Sequence, residues 1–151
     1  MIRVPSIPCA MLRLPAIGTL LLGLAACTGG STDTVNIPKA SYGCLDDSKG
    51  CIDQRQAALK GLLADKSNSW VRQPASPEAY ATGVRMYAFK TRKRELSCDD
   101  LAHGRREADG ASPALRGSAG RLTPAQISRG AMFATEVSRE LANEMGKRCR
   151  A

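Results

Sequence analysis

Large rings are scarce in this chain of 151 residues: one Trp, three Tyr and two Phe make up 4% of it. A core built from so few of them must be lean. Histidine occurs once, at His103. Cys98 lies five residues from it, off the facing positions of a helix, which argues against a Cys–His nucleophile pair. Asp99 and Asp100 are at reaching distance from His103, a spacing that reads as a local charge pair rather than two parts of a triad. There is no Gly-x-Ser-x-Gly elbow. Gly117-Ser118-Ala119-Gly120-Arg121 lacks the Walker lysine and follows no strand. No Cys-x-x-Cys pair exists, so a zinc site is not expected, and Asp46 and Asp47 lack EF-hand spacing. No catalytic residue, metal or cofactor is expected, and a hydrolase has almost no residue support.

Long apolar runs are missing too. The most apolar stretch, Leu14 to Leu24, has 11 residues, whereas a helix crossing a bilayer needs about 20. Overall, 43% hydrophobic and 24% charged residues exclude a wholly disordered or multi-pass membrane chain.

What is present begins with an address. Arg3 and Arg13 put positive charge at the front, and no acidic residue precedes Asp33. The short apolar run then ends in Leu24-Ala25-Ala26-Cys27. A basic start, a short apolar run and small residues read as a secretory signal. The tetrapeptide resembles the lipobox of bacterial lipoproteins. The resemblance covers about residues 1–28 and implies diacylglyceryl transfer to Cys27, cleavage before it and acylation, palmitate included, of the new amine. It also implies a signal peptide over 1–26 and a membrane-lipid partner held through acylated Cys27. In Gram-negative lipoproteins, Asp after the Cys signals inner-membrane retention; Thr28 stands here, so the resemblance implies the outer membrane. Two or three acyl chains, at about 0.8 kcal/mol per buried methylene, anchor a protein firmly. Without Arg3 and Arg13, 20 basic residues face 14 acidic ones.

Residues 27–43 read as the lipidated Cys and a flexible tether. The 16 residues from Thr28 to Gly43 have no hydrophobic period and would span about 20–24 Å as a coil. The rest, 44–151, reads as an all-α domain, a small bundle of three or four helices near 51–66, 77–96, 98–109 and 124–149. Ser76-Pro77-Glu78 and Thr123-Pro124-Ala125-Gln126 are N-terminal signals, the second a capping box stapled by Leu122 and Ile127. Its buried stripe is Ile127, Ala131, Ala134, Ser138, Leu141, Met145 and Cys149. Gly110 to Arg121 reads as a loop. Ser97, three residues before Asp100, favours a break there, although Tyr80, Val84, Tyr87, Thr91, Arg94, Cys98 and Leu101 also keep one unbroken helical period.

Four cysteines remain beyond Cys27, and an even number in an exported protein reads as two disulfides. Only 22 of the 108 residues from 44 to 151 are large apolar or aromatic, so staples would offset a thin core. Cys44–Cys51 with Cys98–Cys149 is the preferred connectivity. The rival Cys51–Cys98 leaves Cys44 to join Cys149.

The binding candidate is a basic face: Lys90, Arg92, Lys93 and Arg94, extended by Arg105 and Arg106. Envelope ligands for it would be lipid phosphates, peptidoglycan carboxylates or an acidic protein; nucleic acid is excluded by compartment. The structural reading of these charges is pairing with the acidic stripe Glu136, Glu140 and Glu144. The functional expectation is an outer-membrane-anchored lipoprotein of the periplasmic envelope, a structural or interaction module with a protein or peptidoglycan partner. The alternative is an inhibitor or immunity-type lipoprotein that blocks an envelope enzyme.

Overall fold

A computed structural model describes residues 42–149, and every described element is helical. Five α-helices follow one another: α1 (Lys49–Ala64), α2 (Pro77–Thr82), α3 (Val84–Arg92), α4 (Cys98–Arg116) and α5 (Pro124–Arg148), with a 3₁₀ turn at Ser69–Arg72 between α1 and α2. The signal peptide, Cys27 and most of the tether expected for 27–43 lie outside the described residues. Among the described residues, no helix is long and apolar enough to cross a membrane.

Four of the five helices, all but α3, start where a side chain accepts an orphan backbone N–H. Ser48 receives Cys51 N–H, Ser76 receives Ala79 N–H and Ser97 receives Asp100 N–H. At Thr123 the capping box is complete, because the Gln126 side chain accepts from the Thr123 N–H in return. The last turn of α1 leads into a second local anchor. Asp65 accepts from the N–H and hydroxyl groups of Ser67 and Ser69, and these bonds hold its carboxyl at about 2.

The chain does break before Ser97, as α3 stops at Arg92 and α4 begins at Cys98. It also breaks where no break was expected. The segment 77–96 is two helices, because Gly83 adopts φ 73°, ending α2 with its N–H on the Tyr80 carbonyl and standing at the start of α3.

The loop expected at Gly110–Arg121 is a correction as well: α4 continues to Arg116, through Gly110 and Pro113. The buried stripe Leu101, Gly104, Ala108, Ala111 and Leu115 runs at helical spacing past residue 109. That packing outweighs the weak propensities of Gly and Ser and the bond lost at Pro113. The small residues allow close approach. A Cβ on Gly104 would meet the Phe89 ring at 2.5 Å, and one on Gly130 would meet a Leu115 methyl at 2.9 Å.

The α4–α5 hairpin carries the main interface, α2 and α3 pack across it, and α1 lies on α3. Ala134, Ser138 and Leu141 of the expected stripe are buried, and Val137 joins them. Both disulfides pair as preferred: Cys44 with Cys51 and Cys98 with Cys149, at Cα separations of 5.4 and 5.7 Å. The tether boundary moves, however. Tyr42 is buried and packs in the core, so the domain begins before Cys44.

Candidate functional site

The basic residues serve several different neighbours. Lys90, on α3, and Lys93, the residue capping its C-terminus, both reach α5: Lys90 donates to Glu136 and lies 3.0 Å from Glu140, while Lys93 donates to Glu140. Bonding to Glu136 and Glu140 raises the Lys90 ammonium, and bonding to Lys93 and Lys90 lowers the Glu140 carboxyl. Glu144 is not part of this set, since it pairs with Arg148. Arg92 is buried; it donates to the Asp65 carbonyl at 2.6 Å, past the end of α1, and to Glu95. Arg94 is exposed, and Arg105 reaches Asp109 only at 3.8 Å. Arg106 lies elsewhere, on a cleft with His103. The six residues expected to form one anionic-partner face are therefore divided, and three of them hold helices together.

His103 does not engage the acids spaced to reach it. One Asp100 oxygen accepts from Arg72 at 3.2 Å and the other from the Ser97 hydroxyl at 2.7 Å. The carboxylate coupled to His103 is Glu107, one turn further along α4.

Glu107 belongs to a polar centre that the sequence reading missed. Arg85 is completely buried, and its guanidinium donates to both Glu107 oxygens, to the Tyr42 hydroxyl at 2.9 Å and to the carbonyls of Trp70, Val71 and Gln73 at 2.6, 3.0 and 2.8 Å. The rings of Tyr42, Trp70 and Phe89 surround it at 5.5–5.8 Å. Burial pushes the Glu107 carboxyl up, against the opposing pull of Arg85. Burial and then Glu107 raise the nearby Tyr80 hydroxyl. The one available signal was periodic: Arg85, Ala88, Phe89 and Arg92 recur at helical spacing, and all four are buried.

Cys44, Asp46 and Cys51 bring their ligand-type atoms within 4.8 Å of one another. Both sulfurs are already bonded to each other, so neither is a thiolate for a metal.

The least satisfied surface is apolar. A groove of about 420 Å³ opens between α1, the α2–α3 junction and α5, lined by Leu45, Ile52, Leu59, Val84, Tyr87 and Phe133. Ile52 and Tyr87 remain 38% and 50% exposed, which is high for residues of their size in so lean a protein. At its rim Arg55 and Arg129 share one carboxylate, Asp47, at 3.5 and 3.8 Å.

Compared with family models, with curated proteins and with solved structures, the chain matches none.

Proposed function

We propose that this protein is a lipid-anchored module of the bacterial envelope, held by acylated Cys27 in the outer membrane, whose helical domain docks a partner protein. The observation that carries the reading is Leu24-Ala25-Ala26-Cys27 behind a basic, then apolar, leader. Two disulfides in one small domain agree with an oxidising compartment.

The groove is the docking surface the geometry favours over the basic cluster, whose lysines already have carboxylate partners. Tyr87 and Ile52 offer an apolar anchor point, and two guanidiniums on a single carboxylate leave one positive charge at the rim. The matching partner presents an apolar side chain flanked by a carboxylate.

Metabolic labelling with a fatty-acid analogue tests the anchor. The wild type should take up label, and Cys27→Ser should accumulate as unlabelled precursor. A Cys27→Ser protein that still labels and matures normally overturns the assignment. Cross-linking in envelopes tests the docking: Tyr87→Ala should lose its partner, whereas Lys90→Gln should keep it. Capture of one stoichiometric enzyme would favour the inhibitor reading over a structural partner.

A further inference from the structure

A second cleft, of about 440 Å³, lies beside the buried Arg85–Glu107 pair where the 3₁₀ turn, α2 and α4 meet. Arg72, Tyr80, His103, Arg106 and Glu107 line it. Its charges cancel in pairs, with one left over. Both Glu107 oxygens are occupied by Arg85. Arg72 is matched by Asp100 at 3.2 Å. Arg106 is exposed and, among the described residues, forms no ion pair.

Two further side chains add unused hydrogen-bonding capacity. The Tyr80 hydroxyl makes no hydrogen bond among the described residues, and His103 Nδ1 is buried without a partner. Three side chains from two helices thus converge, unspent, on a space of the size that holds small molecules.

We propose that this cleft binds the carboxylate of a small molecule, with the Arg106 guanidinium as its counter-charge and Tyr80 and His103 as neighbouring hydrogen-bonding groups. A guanidinium fork matches a carboxylate in two parallel bonds. The single surplus charge selects a monoanion. A phosphomonoester, at about −1.5 to −2 near neutrality, would leave uncompensated negative charge beside Glu107. The carboxylate could end a short peptide or belong to a sugar acid, and the cleft recognises what they share. This inference depends on neither the acyl anchor nor the apolar groove, so it can fail or stand without them.

Calorimetric titration of the detergent-solubilised protein tests it with three probes: N-acetyl-alanyl-alanine, the same dipeptide as its amide, and glucuronate. The dipeptide acid or glucuronate should bind, and whichever binds tighter identifies a peptide end or a sugar acid. The amide should bind at least about tenfold more weakly than the acid. Arg106→Gln should weaken acid binding by a similar factor, and Arg106→Lys by less, while Arg105→Gln on the same helix should leave it unchanged. Equal binding of acid and amide overturns the proposal, as does wild-type affinity in Arg106→Gln. So does the absence of binding by both acids up to about 10 mM, a concentration that would detect even weak sites.

Discussion

Replacing Arg85 with Met keeps an unbranched stem but removes the whole guanidinium from a site with no solvent exposure. Glu107 would lose its one ion-pair partner and both hydrogen bonds, and a buried carboxylate left unpaired costs about 3–5 kcal/mol. The carbonyls of Val71 and Gln73 would also lose their Arg85 donor, whereas that of Trp70 keeps the Gln73 N–H. Gln73 is only half-buried and can recover a water, so the orphaned charge dominates. A loss of about 3–5 kcal/mol is a large share of the 5–15 kcal/mol that holds a typical domain. Urea unfolding followed by fluorescence measures it cleanly, because Trp70 is the only tryptophan and lies 4.7 Å from Phe89 in an edge contact. The double variant Arg85→Met/Glu107→Leu removes the stranded charge and should recover part of the loss, stopping short of the wild type because the buried Val71 carbonyl stays without its Arg85 donor. The sign with pH follows from Glu107, whose folded carboxyl is already raised by burial. Without Arg85 it would be raised further, so ionisation penalises the folded state increasingly as pH rises through that range. The single variant should therefore regain stability towards acid, relative to the wild type. A loss under about 1 kcal/mol, a double variant no better than the single one, or a pH-independent gap would each refute the reasoning.

Gly104→Ala should destabilise the fold by about 1–3 kcal/mol, since its Cβ meets the Phe89 ring, whereas Gly110→Ala meets nothing within 4 Å and should stabilise α4 by about 0.5–1 kcal/mol; thermal melts of the two separate these outcomes. The Glu140 carboxyl is lowered by Lys93 and Lys90, so its contribution is present above the ordinary Glu value and is lost as pH falls through its lowered folded value; Glu140→Gln should flatten that acid limb in a pH series of urea midpoints. Peptide mapping without reductant should show Cys44 joined to Cys51 and Cys98 to Cys149 with no free thiol. Replacing Cys98 and Cys149 with Ser should cost more than replacing Cys44 and Cys51, about 4 against 2.5 kcal/mol for loops of 51 and 7 residues, by the same urea assay.

The features legible from the sequence are those with local causes. Ser76-Pro77, Ser97 and Thr123-Pro124 start helices because their side chains bond backbone groups within one turn, and that chemistry is written in adjacent residues. The cysteine pairing was legible in part from stripe position, since Cys98 and Cys149 both recur at helical spacing with apolar residues. The break at Gly83 was not, because a single glycine inside a helical pattern is compatible with both a continuing helix and a left-handed cap. Gly110 to Arg116 resembles a loop in composition, yet Ala111 and Leu115 continue the buried stripe of α4 and hold it helical. Arg85 and Glu107 were invisible for a different reason. An arginine is buried only where enough acceptors converge, and here they come from Tyr42, the 3₁₀ turn and α4, brought together by tertiary structure alone. The same convergence takes Tyr42 from an apparent tether into the core.

The placement of the two disulfides also decides how the domain carries tension. A pull on the chain beyond Cys149 passes through sulfur directly to Cys98, so neither α4 nor α5 is stretched while that bond lasts. A pull from the other side, beyond Tyr42, first meets the hydroxyl contact with Arg85, which no covalent link protects. Once Tyr42 releases, the load skips the first turn of α1 through Cys44 and enters at Cys51. Only the stretch from Cys51 to Cys98 can then lengthen, reaching about 160 Å if drawn straight. The α4–α5 hairpin would hang from it as a knot that opens only by reduction, so a machine threading the chain from either end would have to pass a doubled strand.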